Sequence, residues 1–128
     1  MVEINESFVS KGSSSVNSED VRQIIGKERI IHRKLKSLDP KKYKGFAGEI
    51  RLLFAMLKDY WNGEYREIPW IVICAIAFAL LYFINPWDLI PDYIPGFGYL
   101  DDAAVVKIVL SSIKHQVKQY RNWKFYRV

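Results

Sequence analysis

Four aspartates lie in one short segment rich in proline and glycine, and their carboxylates are the side chains of this sequence best suited to chemistry. Residues 86–102 read PWDLIPDYIPGFGYLDD. Carboxylate oxygens are the ligands that Ca²⁺ and Mg²⁺ prefer, although the spacing matches no EF-hand loop. Aspartate also accepts hydrogen bonds from backbone N–H groups in turns and at the start of helices. We therefore expect structural capping roles, with a divalent-cation site or contact with a partner or lipid as alternatives, for Asp88, Asp92, Asp101 and Asp102.

The remaining reactive side chains form no catalytic group. Cys74 lies within an apolar run, where a thiol behaves as a small hydrophobic side chain. His32 is followed by Arg33 and Lys34, and His115 follows Lys114, so neither histidine has an evident partner for catalysis. The sequence contains no glycine-rich phosphate loop and no nucleophile elbow. We therefore predict that the protein is not an enzyme, has no catalytic residues and needs no cofactor.

The 128 residues are enough for one domain, and half of them are hydrophobic. The formal net charge of +5 is unevenly distributed. Residues 67–102 contain five acidic side chains and no Lys or Arg, whereas residues 103–128 contain six basic side chains and no acidic one. A nucleic-acid-binding protein does not usually place so long a stretch without cations between its basic parts, and no reader motif is present. We therefore expect no nucleic-acid partner.

A hydrophobic helix is predicted over about 69–85. Residues 70–84 are continuously apolar or aromatic, Pro69 suits the first turn of a helix, and Pro86 suits a position beyond its end. Trp70 and Trp87 bracket this run, as aromatic residues do at the two surfaces of a bilayer. The length lies between that of a buried core helix and that of a membrane span. We favour a transmembrane helix, with a core helix of a soluble bundle as the alternative.

Amphipathic helices are predicted on both sides of the hydrophobic helix, over about 46–61 and 102–121. The first has a regular apolar stripe and is ended by Asn62 and Gly63. The second has an apolar stripe through Val106, Leu110 and Ile113. The opposite, polar stripe of this last helix consists of Lys107, Ser111, Lys114, Lys118 and Arg121.

The N-terminal part is predicted to be a flexible tail followed by one basic helix. Residues 1–18 show no sustained apolar period and contain a cluster of Ser and Gly. Residues 19–38 have an apolar stripe with basic residues on the other faces, which predicts a helix packed on the domain, lying on a membrane or forming a coiled coil. A linker completes this unit at residue 45, and residues 46–128 form the predicted helical domain.

The segment between the last two predicted helices resembles the hallmark of the YkvA-like family of small bacterial proteins, a domain of unknown function. That hallmark is similar to Pro-x-Asp-x-Ile-Pro-Asp-x-Ile-Pro, followed by Gly-x-Leu-Asp-Asp. The matching residues, which we take as a structural motif loop, are Pro86, Asp88, Ile90, Pro91, Asp92, Ile94, Pro95, Gly98, Leu100, Asp101 and Asp102. The resemblance covers roughly residues 50–115 and implies a small, all-α, membrane-associated protein without a known reaction.

The predicted function is a structural or interaction role at the bacterial cytoplasmic membrane. The lipid bilayer is the expected partner, together with a membrane protein or a second copy of the chain. Arg51, Lys58 and Arg66 precede the hydrophobic helix, and this placement predicts a cytoplasmic N-terminus. The alternatives are a soluble or peripheral helical adaptor and a divalent-cation site in the loop at 86–102.

Overall fold

The structure, a computed structural model, describes residues 5–41, 45–84 and 102–126. Within these ranges the chain forms seven helices and no strand, which confirms the predicted all-α class. In chain order the helices are α1 (Glu6–Ser14), α2 (Ser18–Gly26), α3 (Glu28–Lys36), α4 (Phe46–Trp61), α5 (Trp70–Ile84), α6 (Asp102–Ser112) and α7 (Lys114–Tyr126).

Helix α5 is the central element of the described structure. Ten of its fifteen residues are buried, and α1, α2, α3, α4 and α6 all pack against it. Protein neighbours therefore account for most of its apolar side chains. At a rise of 1.5 Å per residue the helix is about 22 Å long. Nowhere in residues 5–41, 45–84 and 102–126 is a helix both long and apolar enough to cross a membrane, so the structure does not support the predicted transmembrane helix.

Helix α1 replaces most of the flexible tail that the sequence predicted over 1–18. The side chain of Asn5 accepts a hydrogen bond from the backbone N–H of Phe8 and caps the helix, and Val9 is buried. Gly12 lies directly against the ring of Phe78 on α5. The helix is stabilised by this tertiary packing, which a search for apolar periodicity in nine residues could not detect.

The predicted basic helix over 19–38 is two helices in the structure. Helix α2 begins with a capping box in which Asn17 and Asp20 each accept a hydrogen bond from the other's backbone N–H. The chain then departs from helical geometry at Lys27, after Gly26, and α3 begins at Glu28. Because α2 packs on α4 and α5, and α3 packs on α2 and α5, the interpretation as helices packed on the domain is the one that this structure supports.

Helix α4 has the predicted bounds, and it ends where the chain turns left-handed at Gly63, with φ +80°. The predicted helix over 102–121 instead divides at Ile113 and continues to Tyr126. One hydrophobic core includes side chains from α1 through α7. The division of the chain at residue 45 stays a prediction, although this core contains residues from both sides of it.

Candidate functional site

The loop that the sequence singled out lies outside the described residues. The motif residues that are not described are Pro86, Asp88, Ile90, Pro91, Asp92, Ile94, Pro95, Gly98, Leu100 and Asp101. Asp102 is the first residue of α6. Capping by the four aspartates and the alternative of a cation site therefore stay predictions. Among the residues that the structure does describe, no three His, Cys, Asp or Glu side chains are grouped so that they could hold a metal ion.

The described surface has a basic groove between α4 and the α6–α7 pair, with a volume of about 580 Å³. Helical hydrogen bonding continues through the break at Ile113. The N–H of Ile113 donates to the backbone oxygen of Val109, and the backbone oxygen of Ile113 accepts from the N–H of Val117. The polar stripe predicted from the sequence therefore continues from α6 into α7. Its cations line the groove together, and they are Lys107, Lys114, Lys118 and Arg121.

An apolar groove of about 670 Å³ lies on the other side of α6, between α6, α1 and α5. Its apolar walls include Val9 of α1, Val72 of α5 and Ile108 of α6. At its rim Trp70 and Ile71, the first two residues of α5, are 43% and 76% exposed. We call these two side chains the apolar edge.

The apolar edge continues into an aromatic and basic cluster. The Trp70 ring packs on Tyr60 with ring centroids 6.4 Å apart. The guanidinium carbon of Arg66 lies 4.7 Å from the centroid of the same Tyr60 ring. A tryptophan beside an arginine suits the boundary between water and lipid, because each side chain combines an apolar body with a polar end.

Helix α6 lies between the two grooves. The consecutive exposed residues Ser111 and Ser112 line the basic groove and the apolar groove, respectively. Both grooves therefore border the exposed ridge of α6.

Several other cations of the described structure already have partners. Lys124 forms an ion pair with Asp59 at 3.0 Å, and the hydroxyl of Tyr120 donates a hydrogen bond to the same carboxylate at 2.5 Å. Burial and the neighbouring Asp59 carboxylate raise the pKa of Tyr120 well above its ordinary value. This side chain therefore stays protonated and joins α7 to α4.

A second ion pair joins α3 to α4. Lys58 lies 3.1 Å from Glu28 and lowers the pKa of that carboxyl, with a smaller contribution from His32 at 3.4 Å. On α3, Lys34 donates a hydrogen bond to the backbone oxygen of Phe83 on α5. No sequence pattern predicts this role of Lys34, because it depends on how α3 packs.

The thiol of Cys74 behaves as the sequence indicated. It is buried, its Sγ lies 3.9 Å from the backbone oxygen of Val16, and burial raises the pKa of the thiol. A raised thiol pKa lowers the thiolate fraction at neutral pH and therefore the reactivity.

Comparison with known proteins identifies the family. Residues 72–108, from α5 through the proline- and aspartate-rich segment into α6, match the family described as "Protein of unknown function (DUF1232)". The chain is 37% identical over 87 residues to the "Uncharacterized membrane protein YkvA" of Bacillus subtilis (strain 168), an alignment that covers 68% of this chain and 82% of that protein.

A second relative is much longer than this chain. The chain is 32% identical over 78 residues to the "E3 ubiquitin-protein ligase RNF170" of Xenopus laevis, which covers 60% of this chain and only 28% of that protein. No solved structure is significantly similar to the chain. The extent of the match to the Bacillus protein, together with the matched family segment, shows that this chain belongs to the YkvA-like family of proteins of unknown function.

Proposed function

We propose that this chain is a peripheral membrane protein with a structural or interaction role, which attaches through its apolar edge to the cytoplasmic face of the bacterial cytoplasmic membrane. The observation that carries the proposal is the exposure of Trp70 and Ile71 side by side at the rim of the apolar groove. The Bacillus relative is named a membrane protein, which supports the same location.

The apolar edge contributes a measurable part of the free energy of attachment. Transfer of the exposed part of the Ile71 side chain from water into an apolar layer contributes about 1–2 kcal/mol, which is about tenfold in affinity. Trp70 adds an indole ring that prefers the interfacial region of a bilayer. Attachment of this kind leaves α5 among its protein neighbours and needs no membrane span.

Vesicle co-sedimentation of the full chain tests the proposal. The vesicles contain phosphatidylcholine and phosphatidylglycerol, and the variants are Ile71→Ser and, as a matched control, Ile30→Ser. Ile30 is also an exposed isoleucine, 45% accessible, but it lies on α3 and does not line the apolar groove. We expect Ile71→Ser to weaken vesicle binding about tenfold and Ile30→Ser to leave it nearly unchanged.

Two results would contradict the proposal. One is a wild-type protein that stays in the supernatant with every vesicle composition, which favours the alternative of a helical adaptor for a protein partner. The other is an equal loss of binding in the two variants, because general surface hydrophobicity would then explain the attachment. Both variants change exposed side chains, so their thermal unfolding should match that of the wild type and a folding defect can be recognised.

A further inference from the structure

Four cations of the basic groove have no acidic partner among the described residues. None of Lys107, Lys114, Lys118 and Arg121 takes part in the ion pairs found within residues 5–41, 45–84 and 102–126. In contrast, Lys58 on α4 and Lys124 on α7 are each paired with a carboxylate.

The four cations are arranged as one row. Counted from Lys107, the others follow at positions seven, eleven and fourteen, which is the spacing of a single face of a helix. Glu49 of α4 lines the groove opposite them and is the one acidic side chain among the described lining residues. A groove with four cations and one carboxylate has a net positive charge, and an anionic ligand would lower the repulsion within the row.

The wall between the cations is apolar. Leu52 of α4 together with Leu110 and Val117 lines the groove, and all three side chains are half-buried. A free phosphate ion would gain nothing from this apolar surface, whereas a phospholipid presents a phosphate next to glycerol and acyl carbons. Among the residues that the structure describes, no aromatic side chain on which a nucleic-acid base could stack lines the groove.

We propose that the basic groove binds the phosphate-bearing headgroup of an anionic phospholipid. This inference rests on the proposed function, and it names the lipid class that the surface selects. The position of the groove supports it, because Ser111 and Ser112 place the basic groove and the apolar groove on either side of the exposed ridge of α6. A membrane that receives the apolar edge on one side of α6 therefore brings its headgroups to the cations on the other side.

The test compares two variants that remove the same charge from different surfaces. Lys114→Gln/Lys118→Gln removes two cations one helical turn apart in the groove. Lys36→Gln/Lys41→Gln removes two exposed lysines at the end of α3 and just beyond it. Both variants lower the net charge equally, and glutamine keeps a polar side chain at each exposed position, so circular dichroism should show wild-type folding.

Co-sedimentation is measured with vesicles of phosphatidylcholine alone and with 30% phosphatidylglycerol. Each cation close to an anionic surface contributes about fivefold in affinity. We expect phosphatidylglycerol to strengthen wild-type binding, and we expect the groove variant to lose more than tenfold of that gain. The control variant should keep most of it.

The outcomes separate this inference from the proposed function. Equal wild-type binding to the two vesicle types overturns the headgroup site and leaves the apolar edge intact. An equal loss of the phosphatidylglycerol-dependent gain in the two double variants also overturns it, because the net charge of the protein would then explain the binding. Absence of binding to either vesicle type overturns the proposed function and this inference with it.

Two soluble ligands distinguish other sources of phosphate. Binding of glycerol 3-phosphate that is lost in the groove variant, without any preference for anionic vesicles, would assign the groove to a free phosphate ester and overturn the lipid. Binding of single-stranded DNA that is lost in the same variant, again without vesicle preference, would assign it to nucleic acid. With neither ligand bound and anionic vesicles preferred, the lipid headgroup is supported.

Discussion

Adding one methyl group at Gly12 should separate α1 from the core. A Cβ at this position would lie 2.1 Å from Cε1 and 2.3 Å from Cζ of Phe78, whereas carbon atoms in contact are usually about 3.5–4.0 Å apart. The Phe78 ring is 2% exposed and packs against the rings of Phe8 and Tyr82, with centroids 5.8 Å and 6.2 Å away. It cannot move aside without displacing these two rings.

The expected cost follows from two opposing effects. Overpacking of a core typically costs about 1–3 kcal/mol, whereas alanine favours a helix over glycine by up to about 1 kcal/mol. The matched control is Gly48→Ala in α4, where a Cβ would meet no atom within 4 Å. We expect Gly48→Ala to stabilise the protein and Gly12→Ala to destabilise it relative to that control by about 1–3 kcal/mol. At about 3–5 °C per kcal/mol for this size, the two melting temperatures should be clearly separated.

Cys74 provides a local readout for the same variant. Its thiol lies beneath the connection that follows α1, 3.9 Å from the backbone oxygen of Val16. Because burial raises the thiol pKa, labelling by a disulfide reagent at pH 7.5 should be slow in the wild type and faster once α1 is displaced. A Gly12→Ala protein that is as stable as the Gly48→Ala protein, with unchanged labelling of Cys74, would refute the packing of α1 described above. Partial recovery in Gly12→Ala/Phe78→Leu would locate the cost in this contact.

Three further changes have defined outcomes. Gly63→Ala places an alanine where the backbone is left-handed, with φ +80°. It should lower the free energy of unfolding by about 1 kcal/mol in chemical denaturation. Tyr120→Phe removes the hydrogen bond to Asp59 and should cost about 1–2 kcal/mol, and an unchanged denaturation midpoint would contradict that contact. The lowered pKa of Glu28 beside Lys58 means that its stabilising effect is present above the ordinary carboxyl pKa and is lost as pH falls through the lowered value. Glu28→Gln should therefore reduce the loss of stability on acidification, which is measurable as a flatter dependence of melting temperature on pH below about 5. The effect should be small because the ion pair is partly exposed.

The elements that the sequence predicted well are those with their own local signals. Helix α4 has a regular apolar stripe, and Gly63 supplies the left-handed residue that ends it. The basic row on α6 and α7 was also visible as the polar face of the last predicted helix. The opposite wall of the basic groove, formed by Glu49 and Leu52, was not visible because it depends on how α4 packs beside that helix.

Where the structure differs from the sequence prediction, tertiary packing is the reason. Helix α1 contains Gly12 among several serines, which weakens any helical signal, yet the small glycine is what permits close contact with Phe78. Helix α5 is apolar on all faces, a pattern shared by membrane spans and by helices enclosed in protein. The helices packed around it became visible only in the structure.

The matched family segment has a consequence for how such a sequence could be transplanted. Residues 72–108 include most of α5 and part of α6, whereas the helices that shield the rest of α5 come from the preceding part of this chain. A graft of this segment alone would expose side chains such as Phe78, Leu80 and Phe83 to water. Any protein that received it would need to supply other helices to cover these side chains. The useful unit for engineering is therefore α5 together with the helices that pack around it.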